Sequence, residues 1–460
     1  MSLDAKHKLM GTEDMTKLLI KFSLPAIVGM IVNALYNIVD RIYIGRIEGT
    51  GHFDIAGVGL SMPAMTISFA IALMVGMGGS TLISLRLGEK KKELAEKYLG
   101  NVIALGAILS ILLTIFTIGN IDWVVNFLGA SENTFRSAKS YLSIVSLGFV
   151  FSIVGYSANA SIRSDGSPKI AMGTLLIGAI LNIILDPIFI FVLKLGVSGA
   201  AIATIISQFA SMAWAVYYFC SPKSGMKLQL KNMKLKGQYV QHIVRQGVAP
   251  FFLQMASGMV IFTLNSVLKN VSGDLAVAAM TIVQGITTFF IMPIFGINQA
   301  VLPTVGYNYG AKLYSRVKGL LSRAIIGATV FSMIGFLSVQ FLSKYFVYIF
   351  THNQEVVEIT ARGLKIYTAM FPFIGFQIVS SIYFQAIGKP KATLFLTLSR
   401  QVIFLIPLVI FLGKRYGAMG VWLAAPIADF FAFAVTFTMI RREMKNLEVK
   451  EKNLIRTIEN

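Results

Sequence analysis

Three carboxylates stand inside long apolar runs of this chain: Asp40 in YNIVDRIYIG, Asp186 in LNIILDPIFIF and Asp429 in APIADFF. Burying a charged side chain at the centre of a lipid-embedded helix costs about 2.5–3.5 kcal/mol on insertion scales, so an acid kept there is expected to serve a function. Loop acids such as Asp122, Glu132 and Glu355 carry no such cost. Neutral oxygens accompany two of the three. Asn182 is one turn before Asp186 on the same helical face, and Tyr36 is one turn before Asp40. Tyr141 and Thr204 fall near the starts of neighbouring apolar segments. Two carboxylates with amide and hydroxyl oxygens can hold a proton or coordinate a sodium ion, and these residue types suit either. The plainer alternatives are that Asp40 caps its helix beside Arg41, and that Asp186 satisfies backbone freed by Pro187.

The elements that must position these residues are membrane helices. Of 460 residues, 55% are hydrophobic and only 13% charged, and the mean hydropathy is +0.72. A soluble domain needs more charge than that to cover its surface. Apolar runs long enough to cross roughly 30 Å of hydrocarbon recur throughout. They predict twelve helices, at about 16–44, 55–86, 97–119, 136–163, 168–193, 197–220, 246–269, 275–307, 318–342, 356–387, 391–412 and 417–440. The net charge of +20 does not point to nucleic acid, because the 41 Lys and Arg residues fall in short loops and tails. Placing both tails and every second loop on one side gathers roughly three-quarters of them there, which predicts an inner-membrane protein with both termini in the cytoplasm. The start lacks a cleavable signal pattern, so the first apolar segment is expected to remain as a helix. The single Cys220 cannot form an internal disulfide, and His7, His52, His242 and His352 lack metal-ligand spacing. On this topology, at 1.5 Å per residue, Asp40 lies about 35 Å and Asp186 about 27 Å along their helices from the cytoplasm. Both are in the outer half, where Tyr36, Tyr141, Asn182 and Thr204 converge.

The two halves repeat at an offset of about 222 residues. Pro25 in FSLPAIVG matches Pro250 in GVAPFFLQ, Gly88 matches Gly310, DGSPK at 165–169 matches IGKPK at 387–391, and Gly196 in GVSGAAIAT matches Gly417 in GAMGVWLAA. Each half holds an even number of helices, so both run the same way through the membrane, and a substrate site is expected between them. The predicted organisation is a first lobe at 1–220, a linker at 221–245, a second lobe at 246–440 and a polar tail at 441–460. The basic linker reads either as a short amphipathic helix on the cytoplasmic leaflet or as a plain charged tether. The small residues of GMGGS at 76–80 suit close helix packing, since no strand precedes them.

At YNIVDRIYIG, LNIILDPIFIF, GVSGAAIAT and GYNYGA, taken in order over twelve helices, the chain resembles the multidrug and toxic compound extrusion (MATE) family in its DinF-like bacterial and archaeal branch. The resemblance covers nearly the whole chain. It implies an all-α fold of two pseudo-twofold-related six-helix bundles in a V, exporting organic cations or other amphiphiles against inward flow of protons or sodium ions. It also carries the role of a cation-coupling site onto Asp40, Asn182, Asp186 and Thr204, and a place in the linked network onto Asn159, although Asn159 lies close to the cytoplasmic turn at RSDGSPK. Pro25 corresponds to a hinge at which the branch bends its first helix; a static kink is the alternative.

The second half lacks an equivalent set. Asn265 stands opposite Asp40, and Ile406 with Pro407 opposite Asp186 with Pro187, so coupling is expected in the first half alone. Gln254, Asn265, Gln284 and Asp429 remain candidates to line a substrate cavity, which the 34 Phe and 21 Met residues suit. The runner-up function is a flippase for a lipid-linked saccharide or cell-wall precursor. That would need a cationic cavity, and Arg41, Arg163 and Arg400 are each expected near a helix end. No nucleophile, base and metal set suggests an enzyme, no cofactor is expected beyond the coupling ion, and a monomer is the default.

Overall fold

The structure, a computed structural model, describes residues 3–47 and 51–459. The Arg41 side chain, offered by the sequence as a neighbour for Asp40, lies outside that description. The helices are α1 (Leu3–Thr12), α2 (Met15–Gly45), α3 (Gly51–Gly88), α4 (Lys92–Gly119), α5 (Ile121–Phe127), α6 (Glu132–Leu147), α7 (Phe149–Ser164), α8 (Pro168–Pro187), α9 (Gly196–Cys220), α10 (Gly237–Gly310), α11 (Tyr314–Tyr348), α12 (Gln354–Tyr367), α13 (Phe371–Ala386), α14 (Pro390–Leu398) and α15 (Ile406–Glu459). Eight spans are long and apolar enough to cross a bilayer unaided. Two of these are double, because α10 breaks at Gly273 (φ 73°) and the span from Pro390 breaks at Gly417 (φ 63°). Two bent pairs, α6 with α7 (47°) and α12 with α13 (53°), complete the expected twelve among the described residues.

The backbone repeats as the sequence does. Lys90 and Lys312 take left-handed φ values of 61° and 59°, Gly166 and Gly388 of 80° and 75°, Gly196 and Gly417 of 56° and 63°. Pro168 and Pro390 then start their helices, where a missing N–H costs nothing. In each half the fifth span contains a π-helical turn next to a proline: Ile188–Val192 follows Pro187, and Ser399–Leu405 precedes Pro407. Proline cannot donate to the turn before it, and in the second half the widened turn ahead of Pro407 accommodates the lost bond. At the start of α2, Asp14 accepts the backbone N–H groups of Lys17 and Thr16, both at 3.0 Å. Those bonds, the one from Lys17 foremost, hold its carboxyl below the ordinary range.

Contacts divide the chain into two compact units. Unit 1 comprises Met1–Thr12 and Leu24–Phe251; unit 2 comprises Glu13–Ser23 and Phe252–Asn460. In unit 1, α3 packs on α4, α6 and α7 through small residues: a Cβ on Gly78 would come 2.3 Å from the carbonyl of Ile243, and one on Gly247 1.9 Å from that of Met74, so α3 and the start of α10 touch backbone to backbone. Unit 2 centres on Leu264, Met280, Val421 and Trp422. Exposed Ile111, Leu112, Ile115 and Phe116 on α4, and Phe341 and Phe411 in unit 2, present the apolar surface that lipid requires.

The connection between the halves is no amphipathic helix. Residues 237–245, expected in the linker, are the first turns of α10; between α9 and α10 the regular piece is the 3₁₀ turn Leu230–Asn232, and the segment is tied to α4: the Lys227 N–H donates to Glu96 (3.0 Å), Asn101 donates to the Asn232 carbonyl (3.0 Å), and the Lys236 N–H donates to Asn101 (3.1 Å). The polar tail is helical and docked within unit 2, through Lys450 to the Tyr309 hydroxyl (2.7 Å), Lys318 to Glu451 (2.8 Å) and Lys389 to Glu443.

Candidate cation site in unit 1

Asp186 is fully buried one residue before Pro187, and Asn182 is nearly so. The Asn182 amide donates to Asp186 Oδ1 at 3.0 Å, the bond that one helical turn of spacing permits. Asp40, half-buried in the last turns of α2, brings its carboxyl against that of Asp186. Tyr141 on α6 is buried beside Thr204 of α9, with Asp40, Tyr36 and Asp186 within electrostatic reach of its hydroxyl. Four helices thus bring Tyr36, Asp40, Tyr141, Asn182, Asp186 and Thr204 together. Asp186 Oδ2 and Asn182 Oδ1 are buried and accept no hydrogen bond from the described residues. Buried acceptors of this kind need a partner, and hard oxygen donors suit a proton or an alkali cation.

Local sequence explains the convergence. Gly199 is required because a Cβ there would come 2.6 Å from the Phe189 carbonyl; its absence seats α9 against the π-helical turn after Pro187 and brings Thr204 to the level of Asp186. Ile44, Val58, Val145, Phe149, Ile190, Val197, Ala200 and Ala201 pack with Tyr141 into an apolar wall. Such a wall lowers the local dielectric, which strengthens the pull of the carboxylates on a cation.

Asn159 belongs to a different polar group. It donates to the Ala171 carbonyl (2.7 Å) and to Thr174, and accepts from the buried Arg163. Thr174 precedes Asn182 by two helical turns and Asp186 by three, so that group lies roughly 12–18 Å back along α8. Pro25 is buried, and α2 stays helical through it. Gln254, Asn265 and Gln284 are half-buried on α10. Asp429 is buried and ion-paired with Arg400 at 2.6 Å, while Gln377 donates to its backbone carbonyl.

Arg400 departs from the expectation of a helix-end residue. It sits in the π-helical turn Ser399–Leu405, midway through the fifth span of the second half, where a widened turn lets its side chain reach Asp429. The sequence reading also passed over Asp165, treated only as a repeat landmark. It is fully buried in the turn between α7 and α8 and accepts from Gly225 N–H (2.8 Å), Ser224 (3.1 Å) and Tyr218, with His7 Nε2 at 3.0 Å. The D-G pair marked a turn, but its partners are up to 158 residues away, beyond any local pattern.

A family model, MatE, matches residues 25–188 and 250–411. Among curated proteins the chain is similar to the multidrug export protein MepA of Staphylococcus aureus (strain N315), 27% identical over 95% of this chain and 96% of that one. Among solved structures it is similar to a multidrug resistance MATE family transporter of the MOP superfamily in an outward-facing conformation (26% identity, TM-score 0.89, covering 95% of this chain and 98% of that one). It is also similar to a MATE in the bent conformation (26% identity, TM-score 0.91, covering 97% of this chain and 99% of that one).

Proposed function

Because the chain belongs to the MatE family, we propose that it is a secondary active multidrug efflux antiporter, exporting organic cations or amphiphilic drugs in exchange for protons or sodium ions. The observation that carries the coupling is the meeting of Asp40 and Asp186 in an apolar wall, with Asn182 orienting one of them. Two carboxylates in contact in a poorly solvated site repel unless a proton or a cation joins them, so the pair is a point at which an ion gradient can act. Tyr141, Tyr36 and Thr204 supply the neutral oxygens, while Asn159 stands apart from the site in its own polar group with Thr174 and Arg163.

Substrate enters from the cytoplasm or the inner leaflet. Cation uptake then weakens its binding and drives release as α2 shifts. The division of α2 supports Pro25 as the hinge: Glu13–Ser23 pack in unit 2 and the helix joins unit 1 from Leu24, one residue before the proline. Gln254, Asn265 and Gln284 line the substrate path, whereas Asp429, matched by Arg400, holds unit 2 together. The same pairing speaks against the flippase, whose pyrophosphate needs free cationic groups: Arg400 is held by the Asp429 carboxylate, and Arg163 is buried. Both termini and the basic linker face the cytoplasm of the inner membrane, and the carrier works as a monomer.

The test is ethidium efflux from proteoliposomes under an imposed pH or sodium gradient, comparing native protein with Asp40→Asn and Asp186→Asn. Efflux driven by one gradient and abolished by both substitutions, in protein that stays monodisperse, is the expected result. If neither gradient moves ethidium or similar amphiphiles, the antiporter reading falls.

A further inference from the structure

The linker between the sixth and seventh spans combines three features. The stretch 221–245 carries Lys223, Lys227, Lys231, Lys234, Lys236 and Arg245 and has no acidic residue. Leu230 is 86% exposed at the head of the 3₁₀ turn, and Leu235 is exposed between Lys234 and Lys236. The loop is also fixed at a defined depth. Its Asn232 carbonyl would lie 2.4 Å from a Cβ on Gly100, and Asn101 bonds it on both flanks.

That depth is informative. The first turns of α4, from Lys92 to Lys97, are polar, and the unbroken apolar run VIALGAILSILLTIFTIG begins at Val102. Gly100 and Asn101 therefore mark the border between headgroups and hydrocarbon, and the loop is pinned to that border. An exposed leucine there would be a liability facing water and is suited to the acyl boundary, while lysines beside it reach phosphates.

We propose that the loop 227–236 is a docking site for anionic phospholipid of the cytoplasmic leaflet, with Leu230 inserted at the acyl boundary and Lys231, Lys234 and Lys236 paired with lipid phosphates. The proposal rests on the cytoplasmic placement of the linker given above, but its readout does not involve transport. Charge complementarity selects anionic over zwitterionic lipid, because a loop with several lysines and no acid gains from a negative surface potential that falls off within a Debye length.

The test uses the full-length protein in nanodiscs. In a Cys220→Ser background, which removes the only native cysteine, a spin label is attached at Leu230→Cys, and its accessibility to oxygen and to an aqueous nickel chelate is measured by EPR. In bilayers of phosphatidylcholine mixed with phosphatidylglycerol the label should gain oxygen accessibility and lose nickel accessibility several-fold relative to phosphatidylcholine alone. Adding Lys231→Gln, Lys234→Gln and Lys236→Gln, or raising the salt, should erase that difference. A label equally open to the nickel chelate in both bilayers would overturn the proposal. A label buried equally in both would overturn its anionic part. A second label at Lys139, at the far end of the first half in the predicted topology, reports whether each preparation is folded and oriented alike.

Discussion

Asp186 is aimed by a single amide, and that amide can be removed without touching charge. Asn182→Ala deletes the 3.0 Å bond to Oδ1 and leaves both carboxylates in place. In a sodium-coupled carrier it should raise the sodium concentration for half-maximal efflux by about tenfold, as loss of a group that orients an ion ligand commonly does. The check is efflux titrated against the coupling ion. Unit 2 makes the opposite experiment available. Asp429→Asn strands Arg400 without its charge partner and should cost about 3 kcal/mol, whereas replacing both together, Arg400→Met with Asp429→Leu, should restore most of that. Thermal unfolding in detergent separates the two. At this scale the sequence was a good guide wherever cost exposed a residue, as with the acids in apolar runs. It failed for Arg400, because Pro407 marks only that the turn before it is disturbed, not that the turn widens enough to hold an arginine at mid-span.

Backbone contact between helices sets the tolerances of unit 1. Gly247→Ala places a methyl 1.9 Å from the Met74 carbonyl, and main chain cannot swing aside as a flexible side chain can. The substitution should cost upward of about 2 kcal/mol by forcing α3 and α10 apart. Gly59→Ala, on the same α3 but with nothing within 4 Å of the new atom, should be neutral or stabilising by up to about 1 kcal/mol. Fluorescence-detected thermal stability of the two variants in parallel tests the contrast. The role of GMGGS in close packing was readable from the small residues alone, and Gly76, Gly78 and Gly79 each abut a neighbour. The bends at Gly148 and before Phe371 were not, because each interrupts an apolar run that remains long enough for one straight helix.

For the whole carrier, antiport demands reciprocity. If cation uptake weakens drug binding by some factor, drug must weaken cation binding by the same factor. Ethidium binding measured at several proton or sodium concentrations should therefore give one coupling constant from either direction, and Asp186→Asn should set it to one. Architecture at this scale was largely legible, since the twelve apolar runs and the repeat each depend on composition over long windows. The one arrangement no window could reveal is the allocation of Glu13–Ser23 to unit 2, where Arg316 holds the Glu13 carbonyl (2.7 Å) and Arg323 holds Thr16 (3.0 Å). That allocation has a consequence in time. The first membrane helix leaves the ribosome among the earliest segments, yet the arginines that seat its start are made some 303 residues later, which at about 5–20 residues per second is roughly 15–60 s. Until then the beginning of the chain must wait in the bilayer with its packing unfinished. The start of the first membrane helix therefore finishes its packing last, and a nascent chain stalled at the linker should leave Glu13–Ser23 open to protease.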